Sequence, residues 1–362
     1  MIRILHIVTS LSASGVPSVI YNFYSHMDRS LVHFDFVAIP SNVEHPYRAK
    51  FEKLGSKVFY MPKKYSGRPM FLYRLMKKGK YDIVHSHIEL ASGIYLSIAK
   101  AAGVKVRIAH AHMAFLPYTK FSHKCLRYIL NHVATLKMGC SKDAIRGLFG
   151  NENGVVLHNA IDTSKFKYNP LVREKCRKEL GINQKTVIGF VGRLTYQKNI
   201  FYLLDIFNEY LKYNANSVLL LIGDGEEKER FFAQVKEKNI SDKVLFLGAR
   251  NDVPSLMMAM DCLLLPSRWE GLGMVLVEAQ ATGLKCYTSL NTVPYEDTKI
   301  TSCIRYLDIN EAPCKWAEEM NKDSLGFDER KDMKELLVLH HYDIDQEANC
   351  LYEIYKKLYN EK

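Results

Sequence analysis

The 362 residues exceed what one ordinary core of about 150 residues organises, so two domains are expected. With 48% apolar and 25% charged side chains, the composition excludes collagen-like, low-complexity and disordered chains. The net charge of +11 is unevenly placed: residues 1–165 carry 23 Lys and Arg against 9 Asp and Glu, whereas residues 166–362 carry 27 against 30, so the first half should face an anionic partner such as phospholipid or a diphosphate-linked substrate.

The start, Met1 to Leu11, has an apolar stretch broken by His6 and reads as a buried first strand rather than a signal peptide. Short β-branched or apolar runs then alternate with helical spacing. Strands are expected at Arg3 to Val8, Phe34 to Ile39, Lys57 to Met61, Asp82 to His85, Val104 to Ala109, Thr135 to Cys140 and Val155 to Leu157, with helices between them such as Val16 to Met27, Glu89 to Ala101 and Thr119 to Val133. Periodicity lapses across the polar residues 166–183, which are read as a linker. A second series follows at Thr186 to Val191, Ser217 to Ile222, Val244 to Leu247, Cys262 to Leu265 and Lys285 to Tyr287. Alternation of this kind implies an α/β chain of two doubly wound parallel sheets, one in residues 1–165 and one in 184–345. The tail 346–362 carries a helical apolar stripe. No apolar run approaches the roughly 20 residues of a membrane span. Eight cysteines stand singly without a CxxC pair, which suits a reducing cytoplasm and gives a zinc site little support despite thirteen histidines.

Doubly wound sheets place ligands at the carboxyl ends of their strands. The first such loop, Thr9 to Val16, offers Gly15 just before a helix, where backbone amides could approach a phosphate or sugar. His110 and His112 stand two apart, on one face, at the end of the fifth strand, where they could position a hydroxyl or stabilise developing charge; His85 and His87 repeat the geometry after the fourth. Gly192-Arg193-Leu194-Thr195-Tyr196-Gln197-Lys198-Asn199 follows an apolar strand and supplies two cations and several amides for a diphosphate. Pro266 to Ala279 leaves another strand, turns through Gly271, Leu272 and Gly273, and enters a helix. Glu270 lies in the turn and Glu278 within the helix. Eight residues of helix are about 12 Å long, which suits two separate roles better than a glycosidase pair: Glu278 on a ribose diol, Glu270 on a transferred sugar, and the helix N-terminus facing phosphate between them.

The Glu270 to Glu278 segment resembles the E-x7-E signature of family 4 of the retaining glycosyltransferases. The family's pieces stand in order along the chain: the Gly15 loop, His110-Ala-His112, His158-Asn159-Ala-Ile-Asp162, Gly192-Arg193 with Lys198, Gly223-Asp-Gly225, Gly248-Ala-Arg250, then the two glutamates. The stretch from Asp28-Arg29-Ser30 to Phe34-Asp35-Phe36 looks most like bacterial exopolysaccharide and capsule enzymes. The resemblance implies a hexosyltransferase-type enzyme of the GT-B fold, two Rossmann-like domains facing across a cleft. It would use no metal or other cofactor and would move a sugar with retention from a nucleoside diphosphate, UDP being favoured. Arg193 and Lys198 would neutralise the leaving diphosphate, Arg250 would line the base pocket, Glu278 would hold the ribose and Glu270 the donor sugar. Gly15, Gly192, Gly223, Gly271, Leu272 and Gly273 would border the donor. His112 aligns with the family's active-site histidine, with His110, His87 and Asn159 as lesser candidates. The family's usual Gly-Gly pair is here Ser14-Gly15, and its last helix returns to the N-terminal domain, which would place 346–362 there.

A glycan or polyprenyl-diphosphate-linked acceptor would suit the basic first half, with Lys120, Lys124 and Arg127 among apolar neighbours forming a helix resting on anionic lipid at the inner face of the cell membrane. Nucleic acid is not expected, since no binding module accompanies the charge. The rival readings are a nucleotide-sugar epimerase of the same fold, and a binding subunit without catalysis. A phosphorylase would need a cofactor lysine motif that is absent, and a dinucleotide-dependent dehydrogenase lacks its glycine fingerprint after the first strand.

Overall fold

The computed structural model describes residues 1–12, 15–40, 45–113, 121–323, 325 and 330–361. The chain divides into two units, one of residues 1–162 and 341–362, the other of residues 163–340. Ser14 and Lys120 lie outside the described residues.

The first unit is a seven-stranded parallel sheet in the order β3-β2-β1-β4-β5-β6-β7, formed by β1 (Ile2–Val8), β2 (Val32–Ala38), β3 (Val58–Tyr60), β4 (Ile83–Ser86), β5 (Val106–Ala111), β6 (Leu136–Gly139) and β7 (Val155–Val156). Side chains alternate across it with the period of two that a strand imposes. Leu5, Ile7, Val84 and Ala109 face one layer, containing Leu72, Leu96 and Leu130. Ile4, Phe34, Ile83 and Ile108 face the other, where Phe23 and Tyr24 of helix Gly15–Ser25 meet Leu351 and Tyr355 of helix Ile344–Asn360. The last helix is therefore built into the first sheet's core. Its start is fixed by Asp343, which accepts from Gln346 N at 3.2 Å, an N-cap of the kind expected for Asp.

The second unit repeats the winding with six strands in the order β10-β9-β8-β11-β12-β13: β8 (Thr186–Val191), β9 (Ser217–Ile222), β10 (Val244–Phe246), β11 (Cys262–Leu265), β12 (Lys285–Ser289) and β13 (Ile304–Leu307). The sixth strand escaped the sequence reading, because Ile304-Arg-Tyr-Leu is a short edge strand with Arg305 exposed. Strand order reverses between β8 and β11, the point at which such sheets open a crevice for ligand.

Residues 166–183 are not a linker. They contain helix Pro170–Glu179, N-capped by Asn169, and belong to the second unit. The polarity that suggested a linker is spent on a buried ionic cluster. Arg173 donates to Asp261 Oδ1 at 2.5 Å and Arg177 to Asp261 Oδ2 at 3.2 Å, while the two guanidinium groups also donate to the carbonyls of Met258, Ala259 and Met260. Asp261 accepts in addition from Val187 N at 2.7 Å, which ties the helix to the head of β8.

Candidate active site

Two loops at the β8/β11 reversal carry the residues that the sequence singled out. The chain leaves β8 through Gly192 to Asn199, with Asn199 left-handed before helix Ile200–Tyr210, and leaves β11 through Pro266 to Gly273. They are stitched together: Arg268 N donates to Gln197 O at 2.8 Å, and Gln197 Nε2 donates to Trp269 O at 2.9 Å. Across this seam Lys198 Nζ donates to Glu270 Oε1 at 2.6 Å, and Ser267 Oγ donates to the same oxygen at 2.5 Å. Glu270 thus accepts from both through one oxygen, almost wholly out of solvent, with its backbone N–H bonded to Thr292 O at 3.0 Å. The Lys198 stem runs past Gly192, where a Cβ would stand 3.4 Å from Cε. Arg193, by contrast, is exposed and makes no hydrogen bond or ion pair among the described residues, so its charge is free for a ligand.

Close backbone contact fixes the neighbouring loop. A Cβ on Gly223 would stand 1.9 Å from Gly192 O, and one on Gly225 would stand 2.3 Å from Leu194 O. Only glycines let the turn after β9 lie against the turn after β8, an approach sealed by Leu194 N donating to Asp224 O at 3.0 Å and Gly192 N to Ile222 O at 2.9 Å. Gly273 takes a left-handed φ of 71° and caps helix Met274–Ala281, whose first amides lack intrahelical acceptors. Glu278, in the second turn of that helix, is half-buried with no hydrogen-bond or ion-pair partner among the described residues, and burial pushes its carboxyl up to about 7. Gly271 borders open space, Leu272 is buried, and Arg250 sits after β10 with its guanidinium bidentate on Asp252 at 2.7 and 2.8 Å.

In the first unit, β5 runs two residues further than the sequence suggested, so His110 lies inside the strand and is buried, while His112 stands just past its end, half-buried. Their rings stack with centroids 4.2 Å apart, as expected for two positions on one face. His85 and His87 join them, as does His6 of β1, which pairs with His85 in the sheet register. His6 Nδ1 lies 3.0 Å from His87 Nε2, and His87 Nδ1 lies 2.8 Å from His112 Nε2. Burial holds all five rings neutral, lowering His6 to about 3 and His112 to about 4. Asn159 is buried, and Gly15 opens helix Gly15–Ser25.

The description "Glycosyltransferase Family 4" matches residues 13–165 and "Glycosyl transferases group 1" matches residues 172–296. "Putative glycosyltransferase EpsF" of Bacillus subtilis is 30% identical over 98% of this chain and 96% of its own. This chain belongs to the glycosyltransferases.

Another glycosyltransferase, "Capsular polysaccharide biosynthesis glycosyltransferase CapH" of Staphylococcus aureus, is 25% identical over 77% of this chain and 79% of its own. A third, the Escherichia coli "UDP-Gal:alpha-D-GlcNAc-diphosphoundecaprenol alpha-1,3-galactosyltransferase", is 32% identical over 60% of each. Among solved structures, Anabaena Alr3699/HepE in complex with UDP superimposes with a TM-score of 0.81 at 17% identity, covering 99% of this chain and all of that one. Its two parallel-sheet α/β domains give this glycosyltransferase the GT-B fold. Three participants of the site were not singled out from sequence: Ser267 and Thr292, which hold Glu270, and His6. A serine, a threonine and a strand-interior histidine carry no spacing signal; only sheet register brings His6 beside His85.

Proposed function

We propose that the protein transfers a hexosyl group, with retention and without a metal cofactor, from a UDP-sugar to a glycan or polyprenyl-diphosphate-linked saccharide during synthesis of a bacterial surface polysaccharide. The observation that carries this reading is the constellation at the β8/β11 reversal, where Arg193, without a partner among the described residues, joins the Lys198–Glu270 pair and the glycine-led start of helix Met274–Ala281. Such a place supplies cations and amide dipoles for a diphosphate whose charge grows as the sugar leaves. Glu278, poorly solvated and without a partner among the described residues, suits a ribose diol, which would donate two hydrogen bonds to its carboxylate. The surface-polysaccharide role draws support from the name of the Staphylococcus relative, the lipid-linked acceptor from that of the Escherichia enzyme, and the UDP donor from the Escherichia enzyme and the Anabaena complex. We assign the family's active-site histidine to His112 rather than His110, since only His112 reaches the open end of its strand.

Thermal stabilisation by a panel of UDP- and GDP-sugars, followed by transfer to a polyprenyl-diphosphate saccharide, tests the reading. Lys198→Ala and Arg193→Ala should each lower transfer by about 10²–10³, the usual effect of removing one group that stabilises developing negative charge. Unchanged transfer in the double variant refutes it. Helix Phe121–Val133 exposes Phe121, Tyr128 and Ile129 beside Lys124, and we propose that this face meets anionic lipid. Sedimentation with acidic vesicles at low salt should retain the protein; absence of binding refutes the contact.

A further inference from the structure

The two tryptophans of the chain are placed in opposite ways. Trp316 is 1% exposed, with Nε1 donating to Asp308 O at 2.9 Å, whereas Trp269 is 52% exposed in the loop that leaves β11. Beside it stands Tyr196, 58% exposed in the loop that leaves β8, with ring centroids 6.1 Å apart and planes tilted by 55°. We propose that Trp269 and Tyr196 form a stacking platform for a pyranose ring of the saccharide acceptor. The proposal rests on the transfer reading and adds to it the place where the acceptor is recognised.

Large aromatic rings are among the strongest contributors to a core, so leaving two of them half in water, side by side, forgoes that gain. Adjacent exposed apolar surface of this kind marks a binding site more often than isolated exposed side chains do. The rings are also held in place. Arg268 N donates to Gln197 O at 2.8 Å, Gln197 Nε2 to Trp269 O at 2.9 Å and Glu270 N to Thr292 O at 3.0 Å, so the backbone is tied before, at and after Trp269. The Arg268 guanidinium lies 4.3 Å from the centroid of Tyr196, a cation–π contact that steadies the second ring. Rings fixed in advance lose little freedom when a ligand settles on them.

A pyranose has the matching chemistry. Its hydroxyls lie around the rim, and the C–H bonds that point from one face are slightly positive, which suits the electron-rich face of an aromatic ring. The position favours the acceptor over the donor. Glu270, assigned to the donor sugar, turns inward onto Lys198 and Ser267 and is almost wholly out of solvent, while the preceding Trp269 turns outward. A saccharide arriving from solvent therefore meets the platform one residue away from the group that holds the sugar to be transferred.

Tryptophan emission of the full chain, excited where tyrosine does not absorb, tests the platform without donor or turnover. Buried Trp316 should give a constant emission that resists acrylamide, and exposed Trp269 a red-shifted one that acrylamide quenches. Among disaccharides of glucose, galactose, mannose and N-acetylglucosamine, titrated into the millimolar range, at least one should shift the Trp269 emission to the blue and protect it from quenching. Trp269→Ala, at an exposed ring, spares the core and should abolish the response. In transfer to a polyprenyl-diphosphate saccharide it should raise the acceptor KM about tenfold with the Kd for UDP-glucose unchanged, and Trp269→Phe should restore most of the loss. The proposal is overturned if no disaccharide alters Trp269 emission, if only UDP or UDP-glucose does, if the response survives in Trp269→Ala, or if that variant weakens UDP-glucose binding as much as it raises the acceptor KM. A saccharide response at Trp269 in a chain that transfers nothing from any UDP- or GDP-sugar supports the platform and counts against the transfer reading, so the two failures are told apart.

Discussion

Donor affinity should depend on pH through Glu278. Its carboxyl, pushed up to about 7 by burial, is about one-tenth ionised at pH 6 and nine-tenths ionised at pH 8. If only the carboxylate accepts from the ribose diol, the Kd for a nucleotide sugar falls about tenfold between those values. UDP-glucose is the right probe, because its diphosphate is esterified at both ends and does not titrate in this window, whereas the terminal phosphate of free UDP does so near ~6. Calorimetry at pH 6, 7 and 8, repeated at pH 7 in buffers of different ionisation enthalpy, should also show about half a proton released on binding. Without ligand the linkage runs the other way. A carboxyl raised from 4.5 to about 7 in the folded chain favours folding most below 4.5, and that contribution is lost as pH rises through 7. Glu278→Gln should flatten both dependences. A Kd that is constant from pH 6 to 8 in the native chain, or a slope that survives in Glu278→Gln, refutes the role given to this residue.

Asp261→Ala strands two buried guanidinium groups and should cost about 3–5 kcal/mol, lowering the melting temperature of the second unit by roughly 6–20 °C in calorimetry; a loss below ~1 kcal/mol would show that the surrounding carbonyls suffice. Gly223→Ala places a methyl 1.9 Å from Gly192 O at a φ of 129°, and should destabilise by at least ~2 kcal/mol in urea unfolding while weakening donor binding. Gly271→Ala, with nothing within 4 Å of the new methyl, should stay within about 0.5 kcal/mol.

The division between what could and could not be read in the sequence follows the range of the interactions. Twelve of the thirteen strands among the described residues could be placed to within about two residues because apolar period-two runs are local. The same holds for Gly192-Arg193 and for the Glu270 to Glu278 segment, where loop chemistry sits directly after a strand. Burial reverses the meaning of polarity in the stretch 166–183. Arg173 and Arg177 read as solvated charges until Asp261, more than eighty residues away, is placed between them. Arg250 shows the opposite limit, since its Asp252 partner was in view two residues on and still gives it a local bond rather than an open cation.

The histidines extend this point to function. Sequence spacing delivers two pairs, His85 with His87 and His110 with His112, each on one face of its own strand. Whether the pairs meet depends on β1, β4 and β5 lying side by side, and whether they can act depends on what covers them. The order β1-β4-β5 brings His6 into the group, and Tyr355 of the last helix donates to or accepts from His85 Nδ1 at 2.7 Å. A helix that closes an apolar core would more cheaply present Phe than Tyr at this position, because a buried hydroxyl must find a partner. Tyr355→Phe therefore measures what that partner contributes. Removing the hydroxyl orphans one more buried nitrogen, so the chain should lose about 1–3 kcal/mol in urea unfolding. A loss below ~0.5 kcal/mol would show that the hydroxyl is dispensable to the core and that His85 Nδ1 finds another partner.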